Sequence, residues 1–209
     1  MPSSVERKRI RKSPAARRAE IVAKAAEIAL SEGLESITLR RIGEELDVRP
    51  GLVSHYFPSA EELVAEAFGD AASGELDALI PPAAPDAHPT ARLAAFFALT
   101  SGPAWNAISA LWVNARHLSR YRPALSSRVA EQEAAWRDRL SGLLADGVAH
   151  GAFRTPHPVV TAQMILVVLD GLGADAGAEH DVLPPAVRRM AITLAEHELG
   201  LDKGALAPH

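Results

Sequence analysis

The stretch "LRRIGEELDVRPGLVSHYFPSAEEL" (Leu39–Leu63) has the composition of a helix, yet it is broken twice within twenty-five residues, at 47–51 and at 57–59. Those two breaks limit what the chain can fold into. The piece between them, roughly Pro50–Tyr56, is shorter than the ~12–15 residues an isolated helix needs to be stable in water. Such a stub survives only when neighbouring helices hold it. A chain that keeps one has a use for its outward face, here Ser54, His55 and Tyr56.

The spacing predicts how the stub is held. Ile42, Leu46, Val48 and Val53 are apolar where two crossing helices joined by a tight turn share a core. Gly43 falls where a side chain would hold those helices apart. Asp47 sits at the turn and is among the few non-glycine residues that tolerate a left-handed backbone. Pro50 suits a first helical position, where its missing N–H has no partner to lose. Val53 and Phe57, four apart, pin the stub inward and leave Ser54 and His55 outward beside Arg49. Thr38 is placed to N-cap the preceding helix, which presents Thr38 and Arg40 outward as well. A helix of about two turns fits lengthwise in a DNA major groove with its N-terminal residues at the base edges. The candidate DNA-contacting residues are therefore Thr38, Arg40, Arg49 and Gly51, with Leu52, Ser54, His55 and Tyr56. A short polar-faced helix is by itself ordinary surface; glycine, turn and apolar spacing together favour DNA reading.

Composition bears on partners. The net charge of -4 looks unsuited to a polyanion until the chain is divided. Up to Tyr56 there are eleven Lys/Arg against eight Asp/Glu, and beyond it eleven against eighteen. The N-terminal end is thus the one a nucleic acid would meet, although its basic cluster (Arg7, Lys8, Arg9, Arg11, Lys12) is equally readable as a solvated tail. No apolar run follows that cluster, so it is not a secretory signal. The longest apolar run, near 159–169, is too short to span a bilayer and contains Gln163. A cytoplasmic protein without a membrane partner is expected. With no cysteine, thiolate metal sites and disulfides are excluded.

Along the chain, residues 1–14 read as a disordered basic arm. A first helix is expected over about 15–32, stopped by Gly33, and a second follows Thr38. After the stub, Ser59 and Glu62 form an S-x-x-E capping box at the head of a long helix reaching about Leu79. "PPAAPDAHP" breaks it, and helical stretches follow at about 89–101, 103–119, 123–150, 157–176 and 185–199. The fold class is all-α with about nine helices: a three-helix helix-turn-helix unit over 15–60 and a helical bundle over 61–209.

"TLRRIGEELDVRPGLVSHYFPSAEEL", preceded by "RAEIVAKAAEIALSEGLESI", resembles the DNA-binding region of the tetracycline-repressor family over about residues 17–68. "GLVSHYF" is most similar to the choline/betaine-type repressors within it. "ALWVNARHLSRYRPAL" and "LVVLDGL" resemble their C-terminal domain more weakly. There are departures. Many members have Ser or Thr at Arg49, many have Tyr at Ser54, and most have a phosphate-binding Lys at Ala60. Contacts carry over best at Thr38, Gly51, His55 and Tyr56. The resemblance implies a repressor that binds a palindromic double-stranded DNA operator as a homodimer and is released by a small-molecule effector.

The bundle can be read for both remaining roles. "VVTAQMILVVLDGLGADAGA" is apolar nearly all round and rich in small residues, which points to burial on two faces. Its own bundle takes one face; a second subunit takes the other through Val160, Met164, Val167, Val168 and Gly171. Val187, Met190 and Leu194 of the last helix would complete a four-helix interface. The alternative is a central helix of a monomeric bundle. Trp105, Ile108 and Trp112 share one helical face, Trp136 lies on another, and Phe96 and Phe97 on a third. These are either plain core or, as the resemblance implies, the wall of an effector cavity with Asn114 and His117 as orienting groups. Aromatic faces hold a cation or a flat hydrophobic molecule equally well. Asp170 reads as a structural hydrogen-bonding residue near the dimer axis. The scattered histidines form no zinc-protease or paired-carboxylate spacing, and neither a phosphate loop nor a nucleophile elbow occurs. No enzyme, metal or cofactor is expected; the rival reading is a helical interaction module without specific DNA binding.

Overall fold

The computed structural model describes residues 12–82, 87–174 and 183–207. Most of the basic arm lies outside the described residues. Lys12 and Ser13 lie within them, just ahead of the first helix: Ser13 Oγ accepts from the Ala16 N–H, and Lys12 pairs with Glu20 at 2.7 Å.

The described residues form ten α-helices and one 3-10 turn, with no strand among them. Helices α1 (Pro14–Glu32), α2 (Leu39–Glu45) and α3 (Pro50–Tyr56) make the head, with the turn Leu34–Ser36 between α1 and α2. Helix α4 (Ala60–Leu79) leads into the bundle of α5 (Pro89–Leu99), α6 (Pro103–Ser119), α7 (Pro123–Ala149) and α8 (Pro158–Ala174). Seven of the ten helices open on a proline, whose fixed φ and missing N–H cost nothing there. Thr38 and Ser59 cap α2 and α4 as the sequence predicts, their hydroxyls accepting from the N–H groups of Arg41 (3.1 Å) and Glu62 (3.2 Å).

The end of the chain departs from expectation. In place of one helix over 185–199 there are two, α9 (Pro185–Arg188) and α10 (Met190–Glu198), which brings the count from nine to ten. Arg189, at φ −89° and ψ 4°, bends the chain between them. Neither proline nor glycine marks the bend in sequence. Beyond the bend Ala191 and Ala195 are buried, while Met190 is exposed.

The core has no seam. Buried apolar side chains from Ile21 in α1 to Leu206 beyond α10 form one connected cluster. Helix α4 packs against α1 on one side and α7 on the other. Two close approaches depend on glycine. A Cβ at Gly147 would lie 2.0 Å from the ring of Phe153, and one at Gly69 would lie 2.8 Å from the Arg128 side chain. The head meets the bundle through α1, which packs against α4 and α6.

Candidate functional site

In the head, α2 and α3 are joined by a turn whose Asp47 has φ +50°, the one positive φ of a non-glycine among the described residues. The Val48 N–H donates to the Gly43 carbonyl at 2.9 Å, closing the turn. Ile42 and Val53 are fully buried where the two helices cross, Gly43 is buried beside them, and Phe57 is buried at the far end of the stub. The guanidinium of Arg18 lies 4.8 Å over the Phe57 ring, and Arg41 grips both carboxylate oxygens of Glu32 at 2.7 Å. Each of these contacts braces the stub from behind.

The outward residues fall where the spacing puts them. Thr38, Arg40, Arg49, Gly51, Ser54 and His55 are exposed on one side of the head. Leu52 and Tyr56 are half-buried, with Tyr56 packed on the core and edge-on to His55 at 5.3 Å between ring centroids. Arg40 is held by Glu44 at 2.8 Å while remaining open to solvent. A Cβ at Gly51 would meet nothing within 4 Å.

The bundle contains a cavity of roughly 200 Å³ between α4, α6, α7 and α8. Trp105, Trp112 and Trp136 line it, as the sequence reading expects of an effector site. The other candidates sit elsewhere. Phe96, Phe97 and Ile108 belong to the packed core, with Phe96 behind Trp136 at 6.4 Å. His117 is exposed and meets Tyr121. Asn114 faces the head, where it bonds Leu34 and Glu35.

The polar groups that do line the cavity include Glu75, Ser109, Arg116, Glu133, Gln163 and Asp170. Arg116 bridges Glu133 at 3.0 Å and Asp170 at 2.8 Å, and its guanidinium lies 5.0 Å over the Trp112 ring. Asp170 thus makes a hydrogen bond of the structural kind expected for it, tying α8 to α6, and also lines the cavity. The Trp112 indole N–H donates to the Glu75 carboxylate at 2.8 Å, and Glu75 makes no ion pair among the described residues. Burial pushes the Glu75 carboxyl up to about 7; the Trp112 bond opposes that rise, Asp170 adds to it and Arg116 offsets part. Asp170 is raised as well, by burial first, against the pull of Arg116. Arg116 was legible, four residues beyond Trp112 on the same face. Glu75 was not, because nothing in the sequence of α4 says which turn meets the cavity.

The exposed face of α8 is largely apolar, and Val167 on it also lines the cavity. Val160 is 55% exposed and Val167 64%, with Val159 and Met164 beside them and Met190 exposed on α10. Gly171 is exposed too, whereas Val168, Val187 and Leu194 are half-buried. No helix among the described residues is long and apolar enough to cross a membrane.

A braced helix-turn-helix joined without a seam to a helical bundle with a small cavity is the architecture of a DNA-binding transcription regulator. Family models place it more closely. Residues 21–67 match the tetR family of bacterial regulatory proteins, and residues 89–200 match the C-terminal domain of BetI-type transcriptional repressors. The chain belongs to the tetR family, with a C-terminal domain of the BetI type. As a member it is a DNA-binding transcription regulator rather than an enzyme. Solved structures share the fold. A putative TetR-family transcriptional regulator from Rhodococcus sp. superposes with a TM-score of 0.73 at 19% identity, over 88% of this chain and 99% of that one. A putative transcriptional regulator from Saccharomonospora viridis in complex with choline gives 0.72 at 18% identity, over 88% and 98%. Salmonella enterica GusR gives 0.69 at 18%, over 90% and 98%. No curated protein matches the sequence.

Proposed function

We propose that the protein is a dimeric repressor, acting in the cytoplasm, that leaves its operator when a small organic cation enters the bundle. The observation that carries the ligand class is Glu75. It is a carboxylate without an ion-pair partner among the described residues, fixed by an indole N–H in a cavity walled by three tryptophans. Aromatic faces attract a desolvated cation through their quadrupole, and a carboxylate adds the charge such a guest needs. A volume of roughly 200 Å³ lies below the ~300–1,000 Å³ of pockets for drug-sized ligands, which favours a compact guest. Choline, held by the Saccharomonospora viridis relative, has this chemistry and is the first ligand to test.

The DNA-reading residues are Thr38, Arg40, Arg49, Gly51, Ser54 and His55, with Leu52 and Tyr56 placing them. The exposed strip of α8, with Met190 beside it, supports a second copy as partner, because contiguous apolar patches seldom stay open to water. Two heads about 34 Å apart would then read a palindrome on one side of the duplex.

Titrating choline against the protein bound to the DNA upstream of its own gene tests the reading. The expected result is release, with operator affinity falling ~5- to 150-fold for a coupling of 1–3 kcal/mol. Glu75→Gln should leave DNA binding intact and weaken choline binding. Absence of both choline binding and release would remove the cation reading. Operator binding retained by the Arg49→Ala, His55→Ala double variant would remove the proposed reading surface.

A further inference from the structure

We propose that Asn114 is the positioning residue that fixes the DNA-reading head to the wall of the ligand cavity, passing displacements of α6 directly to the head. The inference takes its purpose from the ligand-released reading above and its geometry from contacts that do not involve a ligand.

Helix α6 has two working faces. Trp105, Ser109, Trp112 and Arg116 recur at helical spacing along the face that lines the cavity. Asn114 lies between Trp112 and Arg116 in sequence, about 200° around the helix from either at 3.6 residues per turn, and points the opposite way. Its Oδ1 accepts the Leu34 N–H at 3.0 Å, and its Nδ2 donates to both oxygens of Glu35, at 3.0 and 2.9 Å. Leu34 opens the turn after Gly33, where φ is +88°, and the first N–H groups of a helical turn have no partner inside it. Without Asn114 that amide would be unpaired beside a fully buried Leu34 side chain. From the turn only Ile37 intervenes before Thr38, the cap of α2, on which the stub α3 is braced. Asn114 thus adds directed hydrogen bonds to the packing of the cavity helix on α1 and the turn.

On the opposite side α6 approaches α8 closely at Ser109. A Cβ at Gly173 of α8 would lie 2.9 Å from Ser109 Oγ and 3.0 Å from its Cβ. Gly173→Ala should therefore press α6 toward the head with no ligand present. The experiment is a double-mutant cycle of Gly173→Ala and Asn114→Ala in the full-length protein. One readout is affinity for a duplex selected by the wild-type protein from random sequence. The other, which needs no DNA, is amide hydrogen exchange over residues 34–56. The expected result is that Gly173→Ala lowers duplex affinity about 5-fold or more and speeds exchange in the head. With Asn114→Ala present, the same change should alter affinity by less than about 2-fold, the scatter of independent sites. A purely structural Asn114 would leave the Gly173→Ala effect unaltered. Equal effects in both backgrounds, or no effect of Gly173→Ala in either, would overturn the proposal. Ser109→Leu supplies the same push, and Glu35→Ala the same severance, where either first choice fails to fold. Because choline is not used, failure of the cation reading shows separately in its own titration.

Discussion

Gly51 is the second residue of a seven-residue helix, with open space where its side chain would be. Glycine costs a helix roughly 0.5–1 kcal/mol relative to alanine, and nothing inside the protein repays that cost. Close approach of a DNA backbone would. Gly51→Ala should therefore raise thermal stability while lowering operator affinity about 10-fold, or ~1.4 kcal/mol. Unchanged affinity in a stabilised variant would place the DNA elsewhere on the head. Glu75 makes a second prediction at this scale. Its carboxyl titrates near 7 in the folded protein against an ordinary 4.5, so the folded state binds the extra proton between those values. Stability should then fall as pH rises from about 4.5 through 7, by on the order of 3 kcal/mol. Asp170 leans the same way, and Arg116 and Arg137 also line the cavity. Glu75→Gln should flatten this slope in denaturant melts at pH 5 and pH 8. For a bound cation the sign reverses: only the ionised carboxylate attracts it, so affinity should climb with pH and level off above 7.

Among the elements, α8 carries two opposite surfaces along one helix. Ala162, Ile165, Leu169 and Gly173 are buried in the bundle, while Val160 and Val167 face outward. Of the residues that composition and spacing assigned to an outward face, Val160, Met164, Val167 and Gly171 are exposed, whereas Val168 is half-buried. Val167→Glu should convert a dimer to a monomer in sedimentation, with helical content unchanged; a persistent dimer would move the interface off this face. The helix ends were legible wherever a residue's own chemistry stops or starts a helix, as at Thr38, Ser59, Gly33 and the seven prolines. The bend at Arg189 was not, because packing of α10 against the bundle decides it and arginine has no local preference there. Asn114 shows the same limit. A half-apolar stripe with one amide reads as a cavity wall, and only the direction of the side chain reveals that it serves the head.

Across the whole molecule, the uninterrupted core gives the proposed ligand response a route from the bundle to the head. Helices α4 and α6 both pack against α1. The charge division fits the same picture, with the basic excess in the segment that carries the reading face. What the sequence determined alone was whatever neighbours along the chain decide: the all-α class, the braced stub with Asp47 left-handed, the caps and breaks, and the outward face of α3. What only the tertiary structure decided was the cavity. Glu75, Arg116 and Asp170 stand on three separate helices, and their meeting, like the separation of Asn114 from them, depends on how those helices rotate and cross. Local propensity is silent about rotation and crossing, which the packing of side chains from the whole chain settles at once.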